Sequence, residues 1–482
     1  MTRIRILAFS ILFVILPVLG FAQQNSTNLL DGDTWKQQGL EVISAWMNHA
    51  TDSTDGQFHA FLDREWNPHN GKQKYPGMLS RHLFSYSVAY MLSGNEKYLE
   101  KADKLFNYLI NHGWDEQFGG WYYSINPQGQ PVDSKKDMFM NIYAVTGLSM
   151  YYTITHDKSA LEYIRNTRSL FQEHAWDSNH GGYYRRLDRQ WKVTNDNKVF
   201  TPQIAPVSGY LLYLYAATQQ QRYLDQAKKL MALANKQLLD NKLGWIREKF
   251  DHSWQPIAEH KSDEQINIGH NIEVAWMWLR LYSITGNTSY KKKAEQLYRQ
   301  LHQSAFTSNG AWLSKMGLTT PNQHPSTTSW WIQAYGDMLQ LSMYGYGNNS
   351  DSLDQFTKGS SFWNIAFLDE KYGGTMLSAT LDGDVDRGDK AVRTKTSYHA
   401  MEHALLNYLY LSLWNEEKQI TLYFNWDMGS DDRPLCPLPI YNNDASITGI
   451  NTSDGSFSVP TNPSKCISVP EEFNGSIKVT ME

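Results

Sequence analysis

The hydrophobic positions of the chain fall into two alternating kinds of segment. In one kind, apolar residues occur all round the helical period, as in residues 145–152, 209–215 and 274–281. In the other kind they form a single stripe opposite a charged face, as in residues 97–107 and 291–299. A helix that is apolar on all sides is buried, whereas an amphipathic helix lies on the outside of a protein. The pattern therefore predicts pairs of one inner and one outer helix.

Short glycine-centred segments separate these pairs at a nearly constant interval of 62 to 66 residues. The markers are Gly56, Gly119, Gly181, Gly244, Gly310 and Gly373. A constant interval is the signature of a repeat architecture. Aromatic residues alternate after several of these glycines, which indicates a short hairpin at the end of a helix.

Five helix pairs are predicted between the markers, with one further helix at each end of the series. The predicted helices are 34–49, 79–92, 96–112, 137–155, 158–173, 204–218, 223–239, 268–285, 289–303, 329–344, 353–367 and 398–413. Six inner helices surrounded by six outer helices form an all-α (α/α)6 barrel. We expect this barrel to be one domain over residues 23–415, although the length of 482 residues alone favours two or three domains.

The two ends of the chain differ from the repeats. A basic start, a short apolar run and small residues near position 22 predict a cleavable secretory signal peptide over residues 1–22. From residue 416 to residue 482 a strand-like alternation is followed by many Pro, Ser, Asn, Thr and Gly residues, which predicts a small β-rich structural appendage. Cys436 and Cys466 are the only cysteines, and in an exported protein we expect them to form a disulfide.

Composition excludes some classes of partner. The formal net charge is −5 and there is no basic block, so we do not expect nucleic acid as a partner. After the signal peptide no stretch is long and apolar enough to cross a membrane, so we expect a soluble secreted or periplasmic protein without membrane contact. No Gly-rich phosphate loop or nucleotide fingerprint occurs, and we expect neither a cofactor nor a metal. The oligomeric state stays open.

Polar residues near the starts of the inner helices are the candidate chemistry. In a barrel of this kind these starts gather at one end, around the central cavity. Six polar residues keep the repeat interval: Arg81, Asn141, Gln203, His270, Gln333 and His399. Their shared spacing predicts a ring around one pocket. Glu273 lies one helical turn from His270, and a buried imidazole beside a carboxylate is costly unless both are used or satisfied.

Four motifs at these places resemble one enzyme family. They are Ser80-Arg81-His82-Leu83-Phe84, Gly269-His270-Asn271-Ile272-Glu273, Trp330-Trp331-Ile332-Gln333-Ala334 and Lys395-Thr396-Ser397-Tyr398-His399. Over residues 34–413 the chain resembles the N-acylglucosamine 2-epimerase superfamily, and most of all its cellobiose 2-epimerase and mannose isomerase branches. The resemblance implies an (α/α)6 barrel in which His270 and His399 are the acid/base histidines. The ring and the resemblance together give the residues that we expect to bind substrate: Arg81, Asn141, Gln203, Trp330, Trp331, Gln333 and Tyr398.

The implied reaction needs such a set. Removing the proton from the carbon next to an aldehyde requires a base that titrates near the working pH, and histidine is the natural choice. The enediolate needs a positive donor at its oxygen, which Arg81 supplies, and Glu273 is expected to fix the tautomer of His270. A second histidine returns the proton on the other face. We therefore predict a sugar 2-epimerase or aldose–ketose isomerase acting on a mannose- or glucose-type mono- or oligosaccharide.

The sequence departs from the family pattern at several positions. Gln203 stands where histidine is common, Ser208 and Tyr335 stand where glutamate is common, and Glu402 stands where arginine is usual. These departures keep the two histidines but change their surroundings. They leave open a catalytically altered relative that only binds carbohydrate.

Three other readings stay open at this point. A glycoside hydrolase needs two carboxylates that face each other across a sugar. The candidate carboxylates are Asp263, Glu264, Glu273 and Asp337. His399-x-x-Glu402-His403 spells an inverted zinc-protease motif, but no convincing third ligand follows. Residues 382–389 begin like a calcium loop and then depart from it at the sixth and twelfth positions.

Overall fold

The computed structural model describes residues 28–257, 264–426, 434–442, 444–452, 455 and 464–482. The predicted signal peptide over residues 1–22 and the candidate carboxylate Asp263 lie outside this range. Among the described residues, no helix has the length and apolarity required to span a membrane.

Twelve helices occur in the described part of the chain. They are α1 (Gly32–His49), α2 (Pro76–Ser93), α3 (Glu96–Tyr108), α4 (Met138–Thr155), α5 (Lys158–Leu170), α6 (Phe200–Pro206 and Leu212–Thr218), α7 (Gln221–Leu233), α8 (Ile268–Thr285), α9 (Thr288–Ala305), α10 (Trp330–Gly345), α11 (Asp351–Ala366) and α12 (Tyr398–Trp414). Turns of π-helix follow α3, α5 and α7, and a further one, Val207–Leu211, joins the two halves of α6 just after Pro206. The predicted (α/α)6 barrel is confirmed.

Burial separates the helices into an inner and an outer set, as the hydrophobic pattern predicts. In α12 every residue from Tyr398 to Ser412 is buried, whereas α3 buries one stripe with helical spacing. Neighbouring inner helices approach closely where one of them lacks a side chain. A Cβ atom at Gly147 of α4 would lie 1.8 Å from the carbonyl oxygen of Ser80 in α2. Only glycine permits this contact.

Short antiparallel strands link the repeats at the end where the inner helices begin. They are β1 (Ser124–Ile125), β2 (Pro131–Asp133), β3 (Lys136–Asp137), β4 (Arg186–Leu187), β5 (Val193–Asn195), β6 (Lys198–Val199), β7 (Lys249–Phe250), β8 (Gln265–Asn267), β9 (Lys315–Gly317), β10 (Thr327–Ser329), β11 (Ser378–Thr380) and β12 (Val385–Arg387). The strand before each of four inner helices pairs with the next repeat, as β3–β4, β6–β7, β8–β9 and β10–β11. The strands therefore form a rim around this mouth of the barrel.

Buried ion pairs anchor four of the glycine hairpins to this rim. The Lys Nζ–Asp Oδ distances are 2.9 Å for Lys74–Asp52, 3.0 Å for Lys136–Asp115, 2.9 Å for Lys198–Asp177 and 2.6 Å for Lys390–Asp369. Removing one partner would leave a buried charge unpaired, which is strongly destabilising. These acids, which recur shortly before the marker glycines, therefore have a structural role.

The C-terminal strands cover the opposite end of the barrel. An antiparallel sheet contains β13 (Ile420–Trp426), β17 (Gly475–Met481) and β15 (Ile447–Thr452) in that order, and β14 (Pro434–Leu435) pairs with β16 (Ile467–Ser468). The Tyr90 hydroxyl of α2 donates to the Phe424 carbonyl at 3.3 Å, and His156 stacks on Trp426 with ring centroids 4.1 Å apart. The predicted Cys436–Cys466 disulfide is confirmed, with an S–S distance of 2.05 Å.

Candidate active site

Two adjoining cavities occupy the mouth of the barrel. One has a volume of about 350 Å³ and reaches His270, Phe200 and Thr394. The other has a volume of about 460 Å³ and is lined in part by Trp331. Glu248 and its neighbour in β7 line both cavities. Volumes of this size are typical of sites for small molecules.

His270 lies in the first turn of α8, beside the cavity. Asn267 caps this helix, and its side chain accepts a hydrogen bond from the His270 backbone N–H at 3.1 Å. The imidazole stacks on Phe200 with centroids 4.0 Å apart. Its Nδ1 is hydrogen-bonded to the carboxylate of Glu248. Because a carboxylate only accepts, Nδ1 carries the proton that binds Glu248, and Nε2 is the nitrogen left to exchange a proton with a substrate.

The surroundings of His270 favour its protonated form. Burial by itself lowers the pKa of the imidazole, because it disfavours the charged state. The charge and hydrogen bond of Glu248, together with the charge of Glu273, more than offset burial and raise the pKa of His270 above its ordinary value. This histidine is therefore suited to donate a proton.

His399 lies in the first turn of α12, and its surroundings favour the neutral form. Its Nε2 is 3.3 Å from Nη2 of Arg81. Because a guanidinium only donates, Nε2 accepts and carries a lone pair. Burial and the nearby Arg81 charge hold the pKa of His399 well below its ordinary value. This histidine is therefore suited to accept a proton.

Arg81 is held rigidly between main chain and aromatic rings. Its Nη1 donates to the carbonyl oxygen of Thr394 at 2.9 Å. Its guanidinium lies over Tyr143, 3.7 Å from the ring centroid, and 5.0 Å from that of Tyr398. A cation stacked in this way has a fixed direction for its remaining donors.

Trp331 brings the two histidines into one site. Its ring centroid is 5.4 Å from that of His270 and 6.1 Å from that of His399. These separations together stay below the limit of about 15 Å within which both imidazoles can reach one carbon, directly or through one water. Trp330 packs against His399 from a buried position, with centroids 5.9 Å apart. Tyr398 packs against the same imidazole at 4.8 Å.

The amides predicted to line the pocket do not lie in it. Asn141, Gln203 and Gln333 are fully buried, and each hydrogen-bonds both the N–H and a C=O group of a glycine hairpin. Asn271 does the same for Ile246. His270 stands one residue before Asn271 on the same helix, and one residue turns a side chain by about 100°. The predicted ring therefore combined two helix faces, of which only one points into the cavity.

Glu273 does not bind His270, which corrects the tautomer role predicted for it. Its carboxylate accepts a hydrogen bond from Ser208 of α6 at 2.5 Å, and burial raises its pKa. The i,i+3 spacing places Glu273 near the imidazole, but His270 Nδ1 turns toward the rim and meets Glu248 instead. Ser208 lies in the π-helical turn of α6, a feature that is frequent at functional sites.

The other departures from the family pattern lie beside or below the histidines. Tyr335 packs on His399 with centroids 5.1 Å apart. Glu402 is fully buried and accepts a hydrogen bond from the Tyr213 hydroxyl at 2.7 Å. Burial raises the pKa of Glu402 to about 7. These residues form a buried polar layer beneath the acid/base pair.

The described carboxylates that were candidates for a glycosidase each bind another group of the protein, although Glu264 also lines the second cavity. Glu264 pairs with Arg247, and Asp337 is fully buried with its Oδ2 3.1 Å from Nε2 of His403. His403 therefore faces a different neighbour from His399, although the two share the zinc-like motif. Residues 382–389 include strand β12 and the turn that precedes it. Across the described residues, no group of three or more His, Cys, Asp or Glu side chains is arranged to hold a metal ion.

Glu248 is the functional residue that the sequence reasoning missed. It follows its marker Gly244 by four residues. The residues at the same offset after three other markers also line the two cavities, namely Tyr123, Arg185 and Ser314. The repeat interval therefore contained the signal, in the hairpins rather than in the helices.

The sequence matches a known family over most of the barrel. The profile of the N-acylglucosamine 2-epimerase (GlcNAc 2-epimerase) family matches residues 76–403. A cellobiose 2-epimerase of Bacteroides fragilis is 26% identical over 385 residues, which cover 77% of this chain and 96% of that protein. A D-mannose isomerase of Marinomonas mediterranea is 20% identical over 387 residues, with coverages of 77% and 95%.

Solved structures share the fold. A cellobiose 2-epimerase from Spirochaeta thermophila matches with a TM-score of 0.71 at 21% identity, over 79% of this chain and 96% of that chain. A glycoside hydrolase family 76 mannosidase from Bacteroides thetaiotaomicron matches with a TM-score of 0.56 at 15% identity, over 80% and 100%. One barrel therefore supports different chemistries, and the side chains at its mouth decide which one occurs.

Proposed function

The chain belongs to the N-acylglucosamine 2-epimerase family and is a carbohydrate epimerase or isomerase, and on this premise we propose that His270 and His399 move the proton on carbon 2 of a mannose- or glucose-type sugar. One observation carries the proposal. The two imidazoles contact the same tryptophan, and their surroundings push their pKa values in opposite directions. Titratable groups tuned apart in this way are typical of an acid and a base.

The first step uses the neutral histidine. The carbonyl oxygen of the open-chain sugar takes over a donor of Arg81, which frees the lone pair on His399 Nε2. His399 then accepts the proton from carbon 2. The electrons of the C2–H bond form a C1=C2 double bond, and the carbonyl oxygen gains the negative charge of an enediolate. Arg81 is already oriented by Thr394 and Tyr143, so it stabilises this charge without reorganising.

The second step decides the product. If protonated His270 gives its proton to the other face of carbon 2, the configuration inverts and the sugar is epimerised. His399 then holds a proton and His270 is neutral, which is the starting state for the reverse reaction. If the carbon 2 hydroxyl passes its proton to O1 and the proton held by His399 goes to carbon 1 instead, the carbon 2 oxygen becomes the carbonyl and the product is a ketose. The two relatives named above are a cellobiose 2-epimerase and a D-mannose isomerase, which supports both outcomes for this type of sugar.

NMR in deuterated water tests the proposal and distinguishes the two products. The full chain is incubated with cellobiose or mannose, and the carbon 2 proton and the new anomeric signals are followed. We expect deuterium at carbon 2 together with either the epimer or the ketose. His270→Ala and His399→Ala should each lower turnover by about 10²- to 10⁴-fold, the range typical of a lost general acid or base.

The control for these variants is His324→Ala, which removes an exposed histidine. It should keep turnover close to that of the parent. One of the two variants, His270→Ala or His399→Ala, is expected to exchange deuterium at carbon 2 without inversion, because the remaining histidine takes and returns the proton on its own face. If both site variants keep turnover within about tenfold of the parent, the two-histidine mechanism is wrong.

We also propose that the protein is exported after cleavage near residue 22. The basic and apolar N-terminal sequence supports this, as does the disulfide between the only two cysteines. Expression in a Gram-negative host, followed by mass measurement of the periplasmic protein, tests it. An intact N-terminus in the cytoplasmic fraction would contradict the proposal.

A further inference from the structure

One wall of the cavity beside His270 is positively charged, although the chain as a whole has a formal net charge of −5. The cationic residues that line it are Arg185, Arg186, Lys249 and Arg393. The acidic residues that line it are already engaged. Asp137 pairs with Arg186 and caps α4, and Glu248 binds His270. An excess of positive charge therefore faces the space that a substrate enters.

The repeat explains the position of Arg185 in this wall. It follows Gly181 by four residues, the offset at which Glu248 follows Gly244. Its backbone carbonyl accepts a hydrogen bond from the Met138 N–H at 3.3 Å, where the rim meets α4. The side chain is exposed at the mouth of the cavity. Arg185 therefore occupies, in the neighbouring repeat, the position that Glu248 occupies in its own repeat.

Arg393 is fixed next to the reaction centre. Its Nη1 donates to the Tyr123 hydroxyl at 3.1 Å. The following residue, Thr394, is held by Arg81 through its carbonyl oxygen at 2.9 Å. The exposed Arg393 is therefore next in sequence to Thr394, which anchors Arg81, and Arg81 binds the sugar aldehyde in the proposed mechanism. A ligand between His270 and the solvent passes this cation.

Resting on the proposed function, we propose that the natural substrate is an anionic saccharide. Its neutral reducing-end hexose reaches His270 and His399, and an acidic group on the next sugar residue binds Arg185 and Arg393. Guanidinium groups match planar carboxylates and sulfate esters with paired hydrogen bonds. The shared chemistry is one negative charge remote from the aldehyde, and a hexuronic acid is the simplest sugar that carries it. The positive wall also attracts such a substrate from solution.

The test compares substrates that differ only in this charge. The full chain is assayed with cellobiose, with cellobiose oxidised to the carboxylate at carbon 6 of the non-reducing residue, and with cellobiose sulfated at that position. Rates are measured at low and at high NaCl concentration. We expect kcat/KM for one or both anionic sugars to exceed that of cellobiose by about tenfold or more at low salt, and the advantage to shrink at high salt because exposed charges are screened. The carboxylate and sulfate arms identify the preferred anion.

Two variants connect the effect to the wall. Arg185→Gln and Arg393→Gln should each reduce the preference for the anionic sugar by about threefold or more, and the double variant should abolish it. The control is Arg299→Gln, which removes an exposed arginine from α9 on the outside of the barrel and should keep the preference. Equal kcat/KM for the charged and neutral sugars, or a preference that survives the double variant, overturns the inference.

Equilibrium binding separates this inference from the proposed reaction. If none of the sugars is turned over, the proposed reaction fails, and calorimetric titration of the same sugars still decides the charge preference. Tighter binding of an anionic sugar that depends on Arg185 and Arg393 supports the inference. Equal binding of cellobiose and its anionic derivatives overturns it.

Discussion

The substitution Glu248→Gln tests the residue that the structure adds to the site. It keeps the shape of the side chain but removes the negative charge that faces His270 Nδ1. Burial of the imidazole remains, and burial lowers its pKa. In the variant the pKa of His270 should therefore fall from above to below its ordinary value. Glu248 contacts His270 and not the reacting carbon in our mechanism, so it is a positioning residue.

The glutamine oxygen can still accept a hydrogen bond from Nδ1, so the size of the effect follows from the charge that is lost. A hydrogen bond to a charged partner contributes about 1.5 to 3 kcal/mol, and a neutral one about 0.5 to 1.5 kcal/mol. If the difference of about 1 to 1.5 kcal/mol is needed in the transition state, its loss lowers kcat/KM by roughly 5- to 13-fold at neutral pH. The protonated imidazole also disappears at lower pH than in the parent. The high-pH limb of the kcat/KM profile should therefore move to lower pH, and acidification should restore part of the activity.

The assay is a kcat/KM profile between about pH 5 and about pH 9, using epimer or ketose formation as the readout. Glu264→Gln is the matched control. It removes a carboxylate that lines the second cavity and pairs with Arg247 rather than with His270. We expect the high-pH limb of the kcat/KM profile of this control variant to lie at the same pH as in the parent. A Glu248→Gln profile that coincides with the parent profile would refute the argument that Glu248 holds His270 protonated.

Three further predictions concern the stability of the fold. Gln203→Ala leaves the Tyr183 N–H and C=O groups without their hydrogen-bond partner. It should therefore lower the free energy of unfolding by about 2 to 4 kcal/mol, while KM changes by less than about threefold. A large change in KM at unchanged stability in urea denaturation would contradict the structural role of Gln203. Four histidines are buried with lowered pKa values: His82, His156, His399 and His403. Below about pH 6.5 the unfolded chain therefore binds more protons, and stability should fall by about 1.4 kcal/mol per pH unit for each such histidine. His82→Asn should reduce this dependence of stability on pH by the contribution of one histidine, and the exposed His324→Asn should leave it unchanged. Equal slopes for both variants and the parent, measured by urea denaturation at about pH 5 to 7, would contradict this prediction. Thiol titration of denatured, unreduced protein should find no free cysteine, and the Cys436→Ala, Cys466→Ala double variant should lose about 3 kcal/mol of stability; two titratable thiols would exclude the bond.

The sequence by itself determined the architecture. Helical periodicity distinguishes inner from outer helices, because a buried helix needs apolar residues on every side and an exposed one needs a single stripe. The glycine interval set the number of repeats. These signals are local and repeated, so they predict the fold without information on which elements are in contact. The acid/base histidines also came from local motifs, by resemblance to a family.

Only the tertiary structure decided which polar residues share the site. Gln203 and His270 look equivalent along the chain, but a displacement of one residue turns a helical side chain by about 100°. Gln203 therefore clamps a hairpin while His270 faces the cavity. Likewise, Glu273 is the nearer carboxylate in sequence and Glu248 the one that binds His270. The repeat interval marks Glu248 as a rim residue, but its pairing with His270 depends on how a strand and helix α8 pack in space, which the sequence pattern does not record.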